Sequence, residues 1–211
     1  MSHDDFEIEP IEGLPEQPPE GEEILWRGKP TTMALAREAL NLNWVIGYFV
    51  ILMGWRFLSV VDLLPLGQAL GATVPFALLG IVVCALLVAV AKIQAANTVY
   101  TITTARIVLR IGAALTLTLN LPYREVGNAA LSLRKDGTGT IALETTGETR
   151  ISHLVLWPHA RPWTFSPSQP ALRCIPDAAE VAQILARAAE ARVNMPQVTR
   201  DTPDFNAVAA E

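Results

Sequence analysis

WVIGYFVILMGWRFLSVV at residues 44–61 and ALGATVPFALLGIVVCALLVAVA at residues 69–91 decide how this chain folds. The first stretch is apolar except for Arg56, and the second holds no charged residue. As a helix, residues 69–91 rise about 35 Å, enough to cross a hydrocarbon core about 30 Å thick. Backbone N–H and C=O groups in hydrocarbon must be satisfied inside the segment, so helix is the state expected of each stretch. Residues 62–68 between them carry Pro65 and Gly67, which is turn chemistry and too short for a domain. A two-helix transmembrane hairpin over residues 44–91 follows.

The flanks orient it. The link has no Lys or Arg, whereas Arg27, Lys29 and Arg37 precede the hairpin and Lys92, Arg106 and Arg110 follow it. The positive-inside rule then predicts both termini on the cytoplasmic side of a bacterial cytoplasmic membrane. Residues 1–20 are rich in Asp, Glu and Pro, unlike a secretory leader, and are expected to form a disordered acidic arm. Residues 21–43 read as a lead-in followed by an interfacial helical segment. Hydrophobic residues make up 51% of the chain and charged ones 18%, concentrated outside the hairpin. The net charge of −5 argues against nucleic acid as a partner, since phosphate binding needs clustered Lys and Arg. Cys84 and Cys174 form neither a disulfide framework nor a metal spacing.

Beyond the hairpin the period changes to two. Tyr100 and Ile102 open one strand, Ile107, Leu109 and Ile111 a second, and Leu115, Leu117, Leu119 and Leu121 a third, alternating with Thr116, Thr118 and Asn120. Asp136-Gly137, between Leu131/Leu133 and Ile141/Leu143, is a hairpin signal. Further strands are predicted over residues 150–157 and about 163–174. Asp177 with Glu180 has capping-box spacing, and Val181, Ile184, Leu185 and Ala188 form one apolar stripe of a helix ending near Arg192. Residues 193–211 read as a disordered tail. The fold class is thus a membrane α-helical hairpin plus a β-rich, pleckstrin-homology-like domain over residues 98–192 with a C-terminal helix.

Tyr100-Thr101-Ile102-Thr103-Thr104-Ala105-Arg106-Ile107 resembles the first-hairpin pattern of membrane-anchored bacterial pleckstrin-homology proteins. Leu121-Pro122-Tyr123 with Val126 fits the link that follows in them. Residues 21–30, ending in Trp26-Arg27-Gly28-Lys29-Pro30, fit their lead-in. Leu156-Trp157-Pro158-His159-Ala160-Arg161-Pro162-Trp163, followed by Pro170-Ala171-Leu172-Arg173, is similar to the PuhB family of photosynthetic reaction-centre assembly proteins of purple bacteria. That resemblance extends from about Gly21 to Arg192. It implies a non-enzymatic assembly factor in the intracytoplasmic photosynthetic membrane, with reaction-centre subunits or core-complex components as partners beside the membrane lipids. It transfers no chemical motif, and no cofactor is expected.

Few residues stand out as sites. Arg56 is either an intramembrane contact to a partner helix or a snorkelling side chain beside Trp55. Gly80 and Cys84 have small-xxx-small spacing, which permits close packing against the first span, a homo-oligomer partner or a client helix. Trp157, His159, Arg161 and Trp163 form a candidate partner-binding segment, because aromatic and Arg residues dominate binding hot spots. Pro158 and Pro162 should keep that segment a loop; its other reading is that the two Trp rings plug the barrel. His153 and His159 make a weak metal pair, and neither span contains a histidine for axial ligation of a chlorin. A lipid head-group module would draw on Arg106, Arg110, Arg124, Arg134 and Lys135. An enzyme or transporter subunit is disfavoured, because the spans lack paired ionisable groups and no nucleophile elbow or Gly-rich loop appears.

Overall fold

The computed structural model describes residues 11, 13–14, 17–112, 116–146 and 152–193. The tail beyond residue 193 and Leu115 of the predicted third strand lie outside these. Strand β1 (Ile24–Gly28) comes first, then helices α1 (Thr32–Glu38), α2 (Leu42–Val60), α3 (Leu66–Gly71) and α4 (Val74–Ala96). Strands β2 (Val99–Thr103), β3 (Arg106–Ile111) and β4 (Leu117–Pro122) follow, and a 3-10 turn over Tyr123–Glu125 leads to β5 (Val126–Leu133) and β6 (Gly139–Thr145). The chain closes with α5 (His153–Leu156), β7 (Ala160–Phe165), β8 (Ser168–Ile175) and α6 (Ala178–Val193).

Helix α2 and the stretch Leu66–Ala96 formed by α3 and α4 are the expected hairpin, and both are long and apolar enough to cross a membrane. Their apolar surface is bared rather than packed: only 6% and 11% of the two most apolar windows is buried within the chain. Such surface suits hydrocarbon and not water. The second span, Leu66–Ala96, contains the expected residues 69–91 and is built from α3 and α4, with α4 itself starting at Val74 and running to Ala96. Pro75 sets this start, since proline lacks the N–H that a helix interior needs but fits its first turn. The carbonyl of Thr73 then accepts the N–H groups of Phe76 and Ala77.

Two four-stranded antiparallel sheets, in the orders β1-β2-β3-β4 and β5-β6-β8-β7, enclose the core. Alternation supplies it: Tyr100 and Ile102, Ile107, Leu109 and Ile111, and Leu121 meet Ile141, Leu143, Leu172 and Ile175. Val181, Leu185 and Ala188 of α6 close one side. The stripe read from the sequence is therefore the one that packs. Helix α6 starts where the carbonyl of Asp177, at φ 48°, accepts the N–H groups of Glu180 and Val181.

Four sequence expectations need correction. Residues 24–28 are no mere lead-in: β1 pairs with β2, Trp26 opposite Ile102, so the hairpin is inserted between two neighbouring strands of one sheet. The acidic arm is not wholly loose, because Leu14 is buried and Gly13, at φ 90°, lies against Val99. A Cβ at residue 13 would come within 2.6 Å of the Val99 side chain. Residues 153–156 form one helical turn rather than a strand, with Leu156 buried while Leu154 and Val155 face out. Their apolar run never alternates with polar residues, so no strand face is defined. The strand expected over about 163–174 is instead a hairpin, β7 and β8, turning at Ser166-Pro167.

Candidate functional site

Helix α1 is a wedge between the hairpin and the β domain. Its Leu35 packs with Ala95 of α4 and Cys174 of β8, and Ala36 packs with Leu42 and Ala91. The Thr31 N–H donates to the Cys174 carbonyl, tying the start of α1 to β8. Asn41, at φ 54°, makes the sharp turn into α2; asparagine tolerates that left-handed conformation better than most residues.

A second tie runs through His159. Thr98 Oγ1 donates its only hydrogen to the Gln94 carbonyl at 2.7 Å, so it must accept from His159 Nε2 at 3.1 Å. His159 Nδ1 is then the acceptor for the Tyr100 hydroxyl at 2.6 Å, and the Arg173 backbone N–H donates to that hydroxyl oxygen at 3.3 Å. One directed chain of bonds thereby joins β8, β2, the turn before β7 and the end of α4. Burial, and the nearby Arg173 charge, push the imidazole down to about 3, so it stays neutral. Burial likewise raises the Tyr100 hydroxyl far above its usual range.

Beside α1 and these ties lies a cleft of about 530 Å³. One wall is Arg37, Glu38, Asn41, Asn43 and Trp44, at the junction of α1 and α2. The other is β5 and β6, with Arg161, Pro162 and Trp163 on β7 and Arg173 on β8. Among the described residues Glu38 is the one carboxylate lining it, and it pairs with Arg134 and, at 3.7 Å, with Arg173. Arg173 is buried and donates to the Pro158 carbonyl at 2.9 Å, yet its Nε has no hydrogen-bond partner among the described residues. The cleft is therefore basic in a chain whose net charge is −5.

The sequence-predicted residues divide. Residues 157–163 are not a free loop, because β7 pairs with β8 at Ala160–Pro170 and Phe165–Ser168. The register slips between those pairs, so residues 161–164 bulge from the edge, which is where a sheet tolerates Pro162. The bulge holds Trp163 at φ 61° and 89% exposed, a conformation that costs about 1–2 kcal/mol for a non-glycine residue. Trp157 is half-exposed and Arg161 exposed, its guanidinium on Gln169 Oε1 at 3.0 Å. Neither Trp ring plugs the barrel. His159 cannot touch a partner, being 1% exposed. Thr98 and Tyr100 occupy both of its ring nitrogens, and among the described residues no group of three or more His, Cys, Asp or Glu could hold a metal.

Gly80 and Cys84 serve the hairpin itself. A Cβ at residue 80 would lie 2.9 Å from Phe49 Cγ, and Cys84 packs against the cluster of Ala36, Leu42 and Ala91. Arg56 is half-buried four residues before the end of α2, about 6 Å along the axis and within reach of the interface. Of the basic residues considered for head groups, Arg106 pairs with Glu22 at 3.0 Å and Arg134 with Glu38. Arg37, Asn43, Trp44 and Arg173 were missed. For Arg37, Asn43 and Trp44 the one sequence signal is the polar-aromatic band at the start of the first span, and Arg173 on β8 carries none.

Residues 43–189 match the family model described as bacterial PH domain, a range that takes in the hairpin and strands β2 to β8 but not β1. The chain belongs to that family. A Rhodobacter capsulatus protein described as "Uncharacterized 23.7 kDa protein in puhA 5'region" is 46% identical over 200 residues, which is 94% of each chain. No solved structure matches this chain.

Proposed function

We propose that this chain is a non-enzymatic, membrane-bound assembly factor of the PuhB type, supporting biogenesis of the photosynthetic reaction centre and its core antenna complex by binding nascent subunits. The observation that carries this reading is the relative in the puhA 5' region of a photosynthetic bacterium, similar over almost its whole length. The residues around Trp157 and Trp163, quoted above for their likeness to that family, support it.

The architecture suits binding rather than chemistry. Two bared apolar helices offer faces to client helices, and the ties through α1 and His159 hold the β domain rigidly at one end of them. Leu154, Val155, Trp157, Arg161 and Trp163 give that domain exposed apolar and basic side chains, with Arg161 and Trp163 lining the cleft beside Trp44 at the start of α2. With both termini in the cytoplasm, this surface faces the cytoplasmic ends of client helices.

The test is a near-infrared absorption spectrum of membranes from a strain lacking this chain, grown photosynthetically. Selective loss of the reaction-centre bands with antenna pigment retained is expected, and pull-downs would then identify the client. An unchanged spectrum overturns the assembly role and leaves a general membrane-anchored PH-like module.

A further inference from the structure

We propose that the cleft between α1 and β7 and the furrow below it on α2 together hold one anionic glycerophospholipid, its phosphodiester among the arginines and an acyl chain along the helix. The furrow, about 410 Å³, is lined by Asn43, Trp44, Gly47, Tyr48 and Ile51. These positions recur at helical spacing on one face of α2, and Asn43 and Trp44 line the cleft as well. The basic cavity therefore opens into an apolar track that descends the first span. A side chain at Gly47 would meet nothing within 4 Å, so the track is open there.

Each end selects a different part of the ligand. Arg37, Arg161 and Arg173 line the cleft against one carboxylate among its described residues, Glu38, which pairs with Arg134 and, at 3.7 Å, with Arg173. Arg173, which lines the cleft and is 4% exposed, has a buried Nε with no acceptor among the described residues, a demand that an anion seated beside its guanidinium would relieve. The level is right too. Asn43 and Trp44 are among the first residues of α2, and Trp44 and Trp163, 80% and 89% exposed, stand at the rim as interfacial aromatic anchors do. A free phosphate or an acidic peptide would satisfy the arginines but leave the furrow bare. Only an amphiphile explains both halves.

The experiment uses the full chain in detergent micelles, with bound lipid read by native mass spectrometry. The probes are phosphatidylglycerol and phosphatidylcholine of identical acyl chains, each with and without inorganic phosphate or a glutamate-rich peptide. The wild-type chain should retain phosphatidylglycerol in preference to phosphatidylcholine. The double variant Arg37→Gln/Arg161→Gln should bind phosphatidylglycerol about 30-fold more weakly, at ~1 kcal/mol per basic residue near an anionic head group. Gly47→Leu, which fills the furrow without touching the arginines, should lower retention of both lipids. Equal retention of the two lipids by the wild type would overturn the site, as would phosphatidylglycerol binding unchanged in the double variant. Displacement by inorganic phosphate alone, or by the acidic peptide with no effect of Gly47→Leu, would replace the lipid with an anion or polypeptide site. None of these outcomes depends on the assembly role.

Discussion

Acid should loosen the β domain from the hairpin through one residue, His159. In the folded chain the imidazole is held neutral, at about 3, because it is buried and close to Arg173, and because its Nδ1 accepts the Tyr100 hydroxyl. In the unfolded chain it titrates near its ordinary 6.5. The unfolded state therefore binds the extra proton between these values. Stability from the neutral ring is complete above about pH 6.5 and falls away as the pH drops toward 3. Between pH 7 and pH 5 the loss is about 2 kcal/mol, set almost wholly by the unfolded end because pH 5 lies well above the folded value. Denaturant unfolding of the full chain in mild detergent, followed by tryptophan fluorescence at the two pH values, measures it. His159→Gln removes the titration, and its loss over the same interval should be about 2 kcal/mol smaller than that of the wild type. Carboxylates such as Asp136 titrate alike in both proteins and cancel in the difference. Equal pH dependence in the two would refute the buried neutral histidine and the bond chain built on it.

Two further perturbations test the packing. Gly80→Ala should destabilise the hairpin by roughly 1 kcal/mol against unfolding in denaturing detergent, because the clash with Phe49 outweighs alanine's better helix propensity; a stabilised variant would show that Gly80 does not seat Phe49. Leu14→Ser should expose the arm to protease and cost about 2 kcal/mol of domain stability, since the side chain is 1% exposed. Unchanged cleavage near residue 14 would mean that the arm does not cover Val99.

The sequence by itself determined the hairpin, most of the strands and the closing helix. Each is written in a local signal: sustained apolarity in α2 and α4, period two in β2, β3, β4 and β6, and the stripe Val181, Ile184, Leu185 and Ala188 in α6. Hydrophobic periodicity survives without tertiary information because it states which face of an element must leave water. Where the local pattern was mixed the reading failed, as at residues 153–156 and at the bulged strand β7. Tertiary structure alone decided the rest. The pairing of β1 with β2 joins residues on opposite sides of the hairpin, Gly28 with Tyr100, and no local pattern encodes a contact at that separation. His159 looked like a candidate contact because polar side chains in a Pro-rich stretch suggest exposure; it was buried because Thr98 and Tyr100 satisfy both ring nitrogens. The basic cleft gathers Arg37, Arg161 and Arg173 from α1, β7 and β8, each unremarkable in its own stretch of an acidic chain. Charge concentrates there only when the wedge of α1 brings the interface end of the hairpin against the second sheet.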